Sequence, residues 1–214
     1  MFQVKNLHLL LLFLLVVLLN WYFMYTETAL KYDTLAANGF QIDIANDSAF
    51  TLKFFGLQKK LQIGILLFYP FYLLIKVLVI YSLIDLVILF IDYPKLPLKL
   101  LCYFILLAEM IFTFPHILNQ IWQQNWSANP YLPYLDYSLL SFIVDFEIPF
   151  ALKYLAHNLN IFELFYILAL VIFFSEAKHY TIKLSAVLIF RSYGIGMLLW
   201  SLMVGLYLSS TFVK

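Results

Sequence analysis

Charge is what this sequence has least of: Asp, Glu, Lys and Arg make up 12% of its 214 residues, where a soluble globular domain carries about 25%. The few charges nearly cancel, to +1, and no basic run supplies the electrostatic footprint of a nucleic-acid binder, so that partner class is excluded. Cysteine occurs once, as Cys102, which removes an internal disulfide and a Cys-rich zinc site together. Phosphate-binding and dinucleotide-binding glycine loops, the G-x-S-x-G elbow and the H-E-x-x-H zinc motif are all missing. No cofactor, metal or catalytic residue is assigned.

What the chain has instead is oil. Hydrophobic residues make up 64% and aromatics 20%, more than one aqueous core of this size can hide, so lipid must be a second apolar solvent. The expected fold is all-α: a polytopic integral membrane bundle of about six spans, with an N-terminal anchor helix added to a five-helix core. Bacterial inner membrane and eukaryotic endomembrane are both open.

Residues 7–25 form the first apolar run, close to the ~20 residues that cross a bilayer. Lys5 and the Leu-rich centre also fit a secretory signal, but no A-x-A-like cleavage site follows, so residues 1–25 read as an uncleaved anchor. Residues 26–61 hold Glu27, Lys31, Asp33, Asp43, Asp47, Lys53, Lys59 and Lys60 and read as an extramembrane loop. Within it Phe50, Phe54, Leu57 and Leu61 recur at helical spacing, the pattern of a helix in the headgroup plane; the start of the next span fits equally.

Residues 62–214 form the membrane domain. The run 62–91 would be about 45 Å long as a helix, and Pro70 divides it, placing the crossing proper at 71–91. The short link from Asp92 to Pro97 sends residues 98–118 straight back as an antiparallel hairpin. Residues 119–136 are rich in amides, with Trp122, Trp126, Tyr131 and Tyr134, and read as a loop at the aromatic belt. Residues 137–156, holding Asp145, Glu147 and Lys153, form the weakest crossing; without it the count is five. The runs 161–174 and 184–212 close the chain.

Basic residues near the span ends favour the side holding Lys31, Lys53, Lys59, Lys60, Lys178 and Lys183, joined by Arg191 if it snorkels, over the side holding Lys5, Lys95, Lys99, Lys153 and Lys214, which puts both termini outside the cytosol. A glycan on Asn46 or Asn125, each in an N-x-S sequon, would reverse that orientation.

Ionised groups inside a bilayer are expensive and functional by default. Lys76 follows Pro70 by about 9 Å along a helix, near enough to the interface to snorkel. Asp85 and Asp92 are seven residues apart on one helix, and Glu109 and His116 seven apart on the returning one, so each pair shares a stripe. Counted from the turn, Asp85 is about 10 Å deep and Glu109 about 15 Å. Facing each other, these acids would share a proton within a relay of Asp85, Asp92, Glu109 and His116; one protonated Glu109 bonded to a Tyr or a backbone carbonyl satisfies the same physics. On the last helix Ser201, Gly205 and Ser209 recur every fourth residue, with Ser192 and Gly196 as a shorter copy. This small-residue ridge invites close helix approach, either internal or with a partner chain. Asn160 and Glu163 have the spacing of a capping box at a helix start.

The stretch Asn158-Leu-Asn-Ile-Phe-Glu-Leu-Phe-Tyr-Ile-Leu-Ala-Leu170, with the Lys178 and Lys183 loop and a last apolar helix, resembles the end of the five-span Yip-type (Ypt-interacting protein) membrane family across residues 62–212. The resemblance implies a small membrane protein that works by binding other proteins. The Asp-Leu-Tyr-Gly-Pro signature of eukaryotic members is absent, which leaves Rab binding without its carrying residues.

The leading expectation is therefore a non-enzymatic subunit, scaffold or adaptor in a hetero-oligomer with other integral membrane proteins and lipids, with no small-molecule substrate. The alternative is a transporter or proton- or ion-conducting subunit built on Asp85 and Glu109. An intramembrane enzyme would require Glu109, His116, Asp145, Glu147 and His157 to converge.

Overall fold

Helix forms wherever the apolar runs permit it. The computed structural model describes residues 5–37, 48–91, 95–126, 137–142, 149–177 and 180–212. Among them there is no strand, only an isolated antiparallel bridge between Ser138 and Asn160. The elements are α1 (Asn6–Ala37), α2 (Ser48–Ile91), α3 (Leu98–Glu109), a 3₁₀ turn (Met110–Phe112), α4 (Thr113–Trp126), a second 3₁₀ turn (Leu139–Phe142), α5 (Phe150–Asn158), α6 (Ile161–Ser175), α7 (Ile182–Ile189), a π-helical turn (Phe190–Gly194) and α8 (Ile195–Phe212).

Four stretches are long and apolar enough to cross a membrane: Asn6–Thr26, Leu66–Ile91, Leu98–Trp122 and Ile182–Tyr207. Together they make an α-helical membrane bundle. Leu73, Val77, Ile80, Ile84 and Ile88 form the buried stripe of α2, and they share one core with Leu101, Phe104, Ile105 and Ala108 of α3 and with Tyr166, Leu170 and Phe174 of α6. Phe68, Phe71, Ile75 and Phe90 on the other faces of α2 are exposed, an outward apolar surface that water would penalise and lipid does not.

Several expected boundaries change. α1 runs on to Ala37, so residues 26–37 are helix rather than loop; no Gly or Pro interrupts the sequence before Gly39. α2 is one helix of 44 residues, with Pro70 inside it. It neither divides at the proline nor starts as a separate headgroup helix. Proline removes a single backbone bond there, and apolar packing around a spanning helix tolerates the loss. The returning helix continues past residue 118 to Trp126, so part of the expected aromatic loop is helical. Gln120 of that extension donates to the Phe23 carbonyl at 2.9 Å and to the Thr26 hydroxyl, tying α4 to α1.

The expected crossing at 137–156 is not a single helix. Its described parts are the second 3₁₀ turn and nine-residue α5, about 13 Å long; Pro149, extended at ψ 145°, precedes α5. α6, with 15 residues, reaches about 22 Å, short of the ~30 Å of hydrocarbon. α7, the π turn and α8 form one continuous helical run, against which α6 packs at α7 and α5 at α8. Two half-length helices thus lie end to end beside one full-length partner.

Candidate functional site

Lys76, Glu109 and Tyr193 each lie within three residues of the centre of their spans. Their side chains meet one cluster. The Lys76 ammonium donates to Glu109 Oε2 at 2.9 Å, with the Glu109 side chain 3% exposed and that of Lys76 20%. Lys76 Nζ also stands 4.1 Å from the Phe112 ring centroid and 5.2 Å from that of Tyr166, where ring faces attract a cation. The Tyr166 ring lies 5.1 Å from Phe112 and 5.1 Å from Tyr193. The Tyr193 hydroxyl donates to Glu163 Oε1, and Glu163 is within electrostatic reach of Lys76. Two acids, one base and two tyrosines from four elements therefore share one buried volume.

Its hydrogen bonding is incomplete. Glu109 Oε1 and the fully buried Tyr166 hydroxyl lie against each other without a well-formed hydrogen bond. Buried polar atoms are almost always well paired, so this loose contact beside an ion pair departs from ordinary core packing.

The backbone departs from α-helix around the same cluster. The Met110–Phe112 3₁₀ turn directly follows Glu109; Pro115 has no N–H to offer the Ile111 carbonyl, so the helix tightens there. The π turn contains Tyr193, and the Ser192 hydroxyl donates to the Leu188 carbonyl at 2.7 Å. Between α5 and α6, Leu159 and Asn160 leave the helix with ψ of 88° and 163°. The backbone groups at that break are taken up by the segment 137–142: Leu139 N–H donates to the Leu159 carbonyl at 2.7 Å, and Ile161 N–H to the Tyr137 carbonyl at 3.1 Å. Non-helical backbone at membrane depth survives only when protein or a cavity satisfies it. Here another segment of the chain does so, and it places the start of α6 against Tyr193.

Stability alone does not account for the cluster. A charge at the bilayer centre costs about 2.5–3.5 kcal/mol on insertion scales, and replacing a buried ion pair by apolar residues of similar volume is often neutral or stabilising. An apolar pair would hold α2 to α3 at least as well.

Glu109 does meet a charged partner inside the bundle, but it is Lys76 rather than Asp85. Lys76 does not snorkel to the interface; it turns inward to Glu109. Asp85 is not brought to Glu109, whose partner is Lys76. It is nine residues from Lys76 on α2, about half a turn round the axis and 13–14 Å along it, and so belongs to the opposite flank. Asp92 lies outside the described residues, as do Asp145 and Glu147. His116 is half-buried on α4, seven residues beyond Glu109, and His157 is exposed at the end of α5. Among the described residues no group of three or more His, Cys, Asp or Glu side chains is placed to hold a metal.

The Asn160 cap forms in half. Asn160 Oδ1 accepts from the Glu163 N–H at 2.8 Å, but the Glu163 side chain turns to Tyr193 rather than back to the Asn160 backbone, whose N–H donates to the Asn158 carbonyl. The small-residue ridge faces inward: Ser192 and Ser201 are almost fully buried, Gly205 is buried, and Gly196 lies against Leu83 of α2. The side chain of Ser209 lies outside the described residues. Lys76, Tyr166 and Tyr193 were not legible as site residues. The available signal was Lys76 at the middle of the full run from Leu66, which a crossing started at residue 71 hides.

No protein-family profile matches this chain, and neither the curated proteins nor the solved structures compared with it contain a match.

Proposed function

We propose that this chain is a multi-span membrane transporter or ion-conducting subunit whose working centre is the cluster of Lys76, Glu109, Glu163, Tyr166 and Tyr193. The observation that carries the reading is the Lys76–Glu109 ion pair at the middle of two spans, retained where apolar side chains would serve packing as well. The broken α5–α6 pair supports it, because transporters place ion and substrate sites where discontinuous helices end near the midplane. On this reading α5 and α6 together make a fifth, interrupted crossing.

The adaptor reading is left resting on the missing catalytic motifs, the scarcity of polar groups in the spans and the Yip-type resemblance, since the described part of the small-residue ridge is buried or packed within the chain. It predicts co-purification of other membrane proteins; the transport reading predicts activity of the chain alone.

The test is flux in proteoliposomes loaded with a pH-sensitive dye, under an imposed pH or cation gradient. The parent protein and Asp85→Asn should carry flux, and Glu109→Gln and Lys76→Met should lose it. Absence of flux from the parent, or equal flux in all four, would sink the proposal.

A further inference from the structure

The cluster contains two carboxyl groups, Glu109 and Glu163, and one ammonium, Lys76. With all three ionised, one negative charge is left over in a low-dielectric, water-poor volume. We infer that the cluster binds one exchangeable proton, held on Glu163 against the Tyr193 hydroxyl. This rests on the reading of the cluster as the working centre.

The groups facing Glu163 from each packed element are Tyr193 on the π turn, Lys76 on α2 and Glu109 on α3. Lys76 is already committed to Glu109 at 2.9 Å, so Glu163 is the acid left without a counter-charge. A hydroxyl can hold either form of it, donating to the carboxylate or accepting from the acid. The second observation is a loosely made polar contact: the fully buried Tyr166 hydroxyl lies against Glu109 without a well-formed hydrogen bond to Oε1, and the Tyr166 ring stands 5.1 Å from that of Tyr193. Glu163, Tyr193, Tyr166 and Glu109 thus group four oxygen-bearing side chains in one buried volume.

A metal cation fits this group poorly. Hard cations take about six or more oxygen ligands; here Glu109 Oε2 is taken by Lys76 and Glu163 Oε1 by Tyr193, which leaves one carboxyl oxygen on each acid and the Tyr166 hydroxyl. A proton needs one acceptor at a time. It enters from water onto the Glu163 carboxylate, leaves Lys76 and Glu109 paired, and brings the three groups to zero net charge.

The experiment is infrared difference spectroscopy of the protein in lipid nanodiscs, comparing about pH 5 with about pH 9, a window spanning the shifts buried acids undergo. The readout is the C=O stretch of a protonated carboxyl. The parent should show one such band, titrating with pH. Glu163→Gln should lose it. Tyr193→Phe should keep it at a shifted frequency, and the Lys76→Met/Glu109→Gln double variant should keep it, because Glu163 is then the one acid left in the cluster. No band in the parent, or a band that survives Glu163→Gln, overturns the inference, as does a band abolished by exchanging choline for sodium at constant ionic strength, which would assign the site to the metal. A band with these properties in a protein that carries no flux supports the proton site while sinking transport; flux without the band does the reverse.

Discussion

Lys76 and Asp85 stand on opposite flanks of the same helix, nine residues apart, and one of them faces Glu109. That half-turn separates a cluster residue from one that makes no hydrogen bond or ion pair among the described residues. Asp85→Asn should therefore change stability by no more than about 0.5 kcal/mol. Glu109→Gln leaves Lys76 charged and unpaired, and should cost about 3–5 kcal/mol. Reversible unfolding in mixed micelles measures both.

The double variant Lys76→Met/Glu109→Leu should recover most of that loss, because neither charge is then left alone in the bundle. The same unfolding assay gives the coupling energy from a double-mutant cycle. Simple addition of the two single losses would show that the pair is not the unit holding α2 to α3 at this level.

Tyr193→Phe removes the hydroxyl that donates to Glu163 while keeping the ring against Tyr166. A buried acceptor that loses its donor costs about 1–3 kcal/mol. The expected result is a destabilisation in that range with helix content unchanged by circular dichroism. A Tyr193→Leu variant should lose more, since the ring contact goes too.

Asn160→Ala deletes the side chain that caps α6 at the break. The expected loss is about 1 kcal/mol, and Asn160→Asp should largely restore the cap. Hydrogen exchange at the amides of the first α6 turn reads the effect locally, with faster exchange in the alanine variant.

Gly196 sits under Leu83: a Cβ added there would come within 2.8 Å of Leu83 Cδ1. The clashing atom is the end of a flexible side chain, so Gly196→Ala should be mild. Gly196→Leu should overpack the α2 contact and cost about 1–3 kcal/mol. Thermal unfolding distinguishes them; equal stability of both would place the ridge outside the packed interior.

By itself the sequence determined the solvent of this protein and where its long apolar helices lie, though among the described residues four stretches rather than the expected six are long enough to cross a membrane. A shortage of charge and runs such as 7–25 and 98–118 leave lipid as the one place to bury so much apolar surface, and span length follows from bilayer thickness. The inward use of Gly196 and the half-cap at Asn160 were readable as options, because small residues and caps act on near neighbours. The tertiary structure decided which charges meet. Rotation about a helix axis moves a side chain by about 100° per residue, so the choice between Lys76 and Asp85 as the partner of Glu109 depends on how α2 packs against α3. A stripe pattern constrains that packing without setting its register. The meeting of Glu163 with Tyr193, 30 residues on, depends further on a helix break and a π turn falling side by side. The Asn160 cap spacing announces a helix start at the break, but not that residues 137–139 satisfy its backbone; the π turn has no local sequence rule strong enough to announce it.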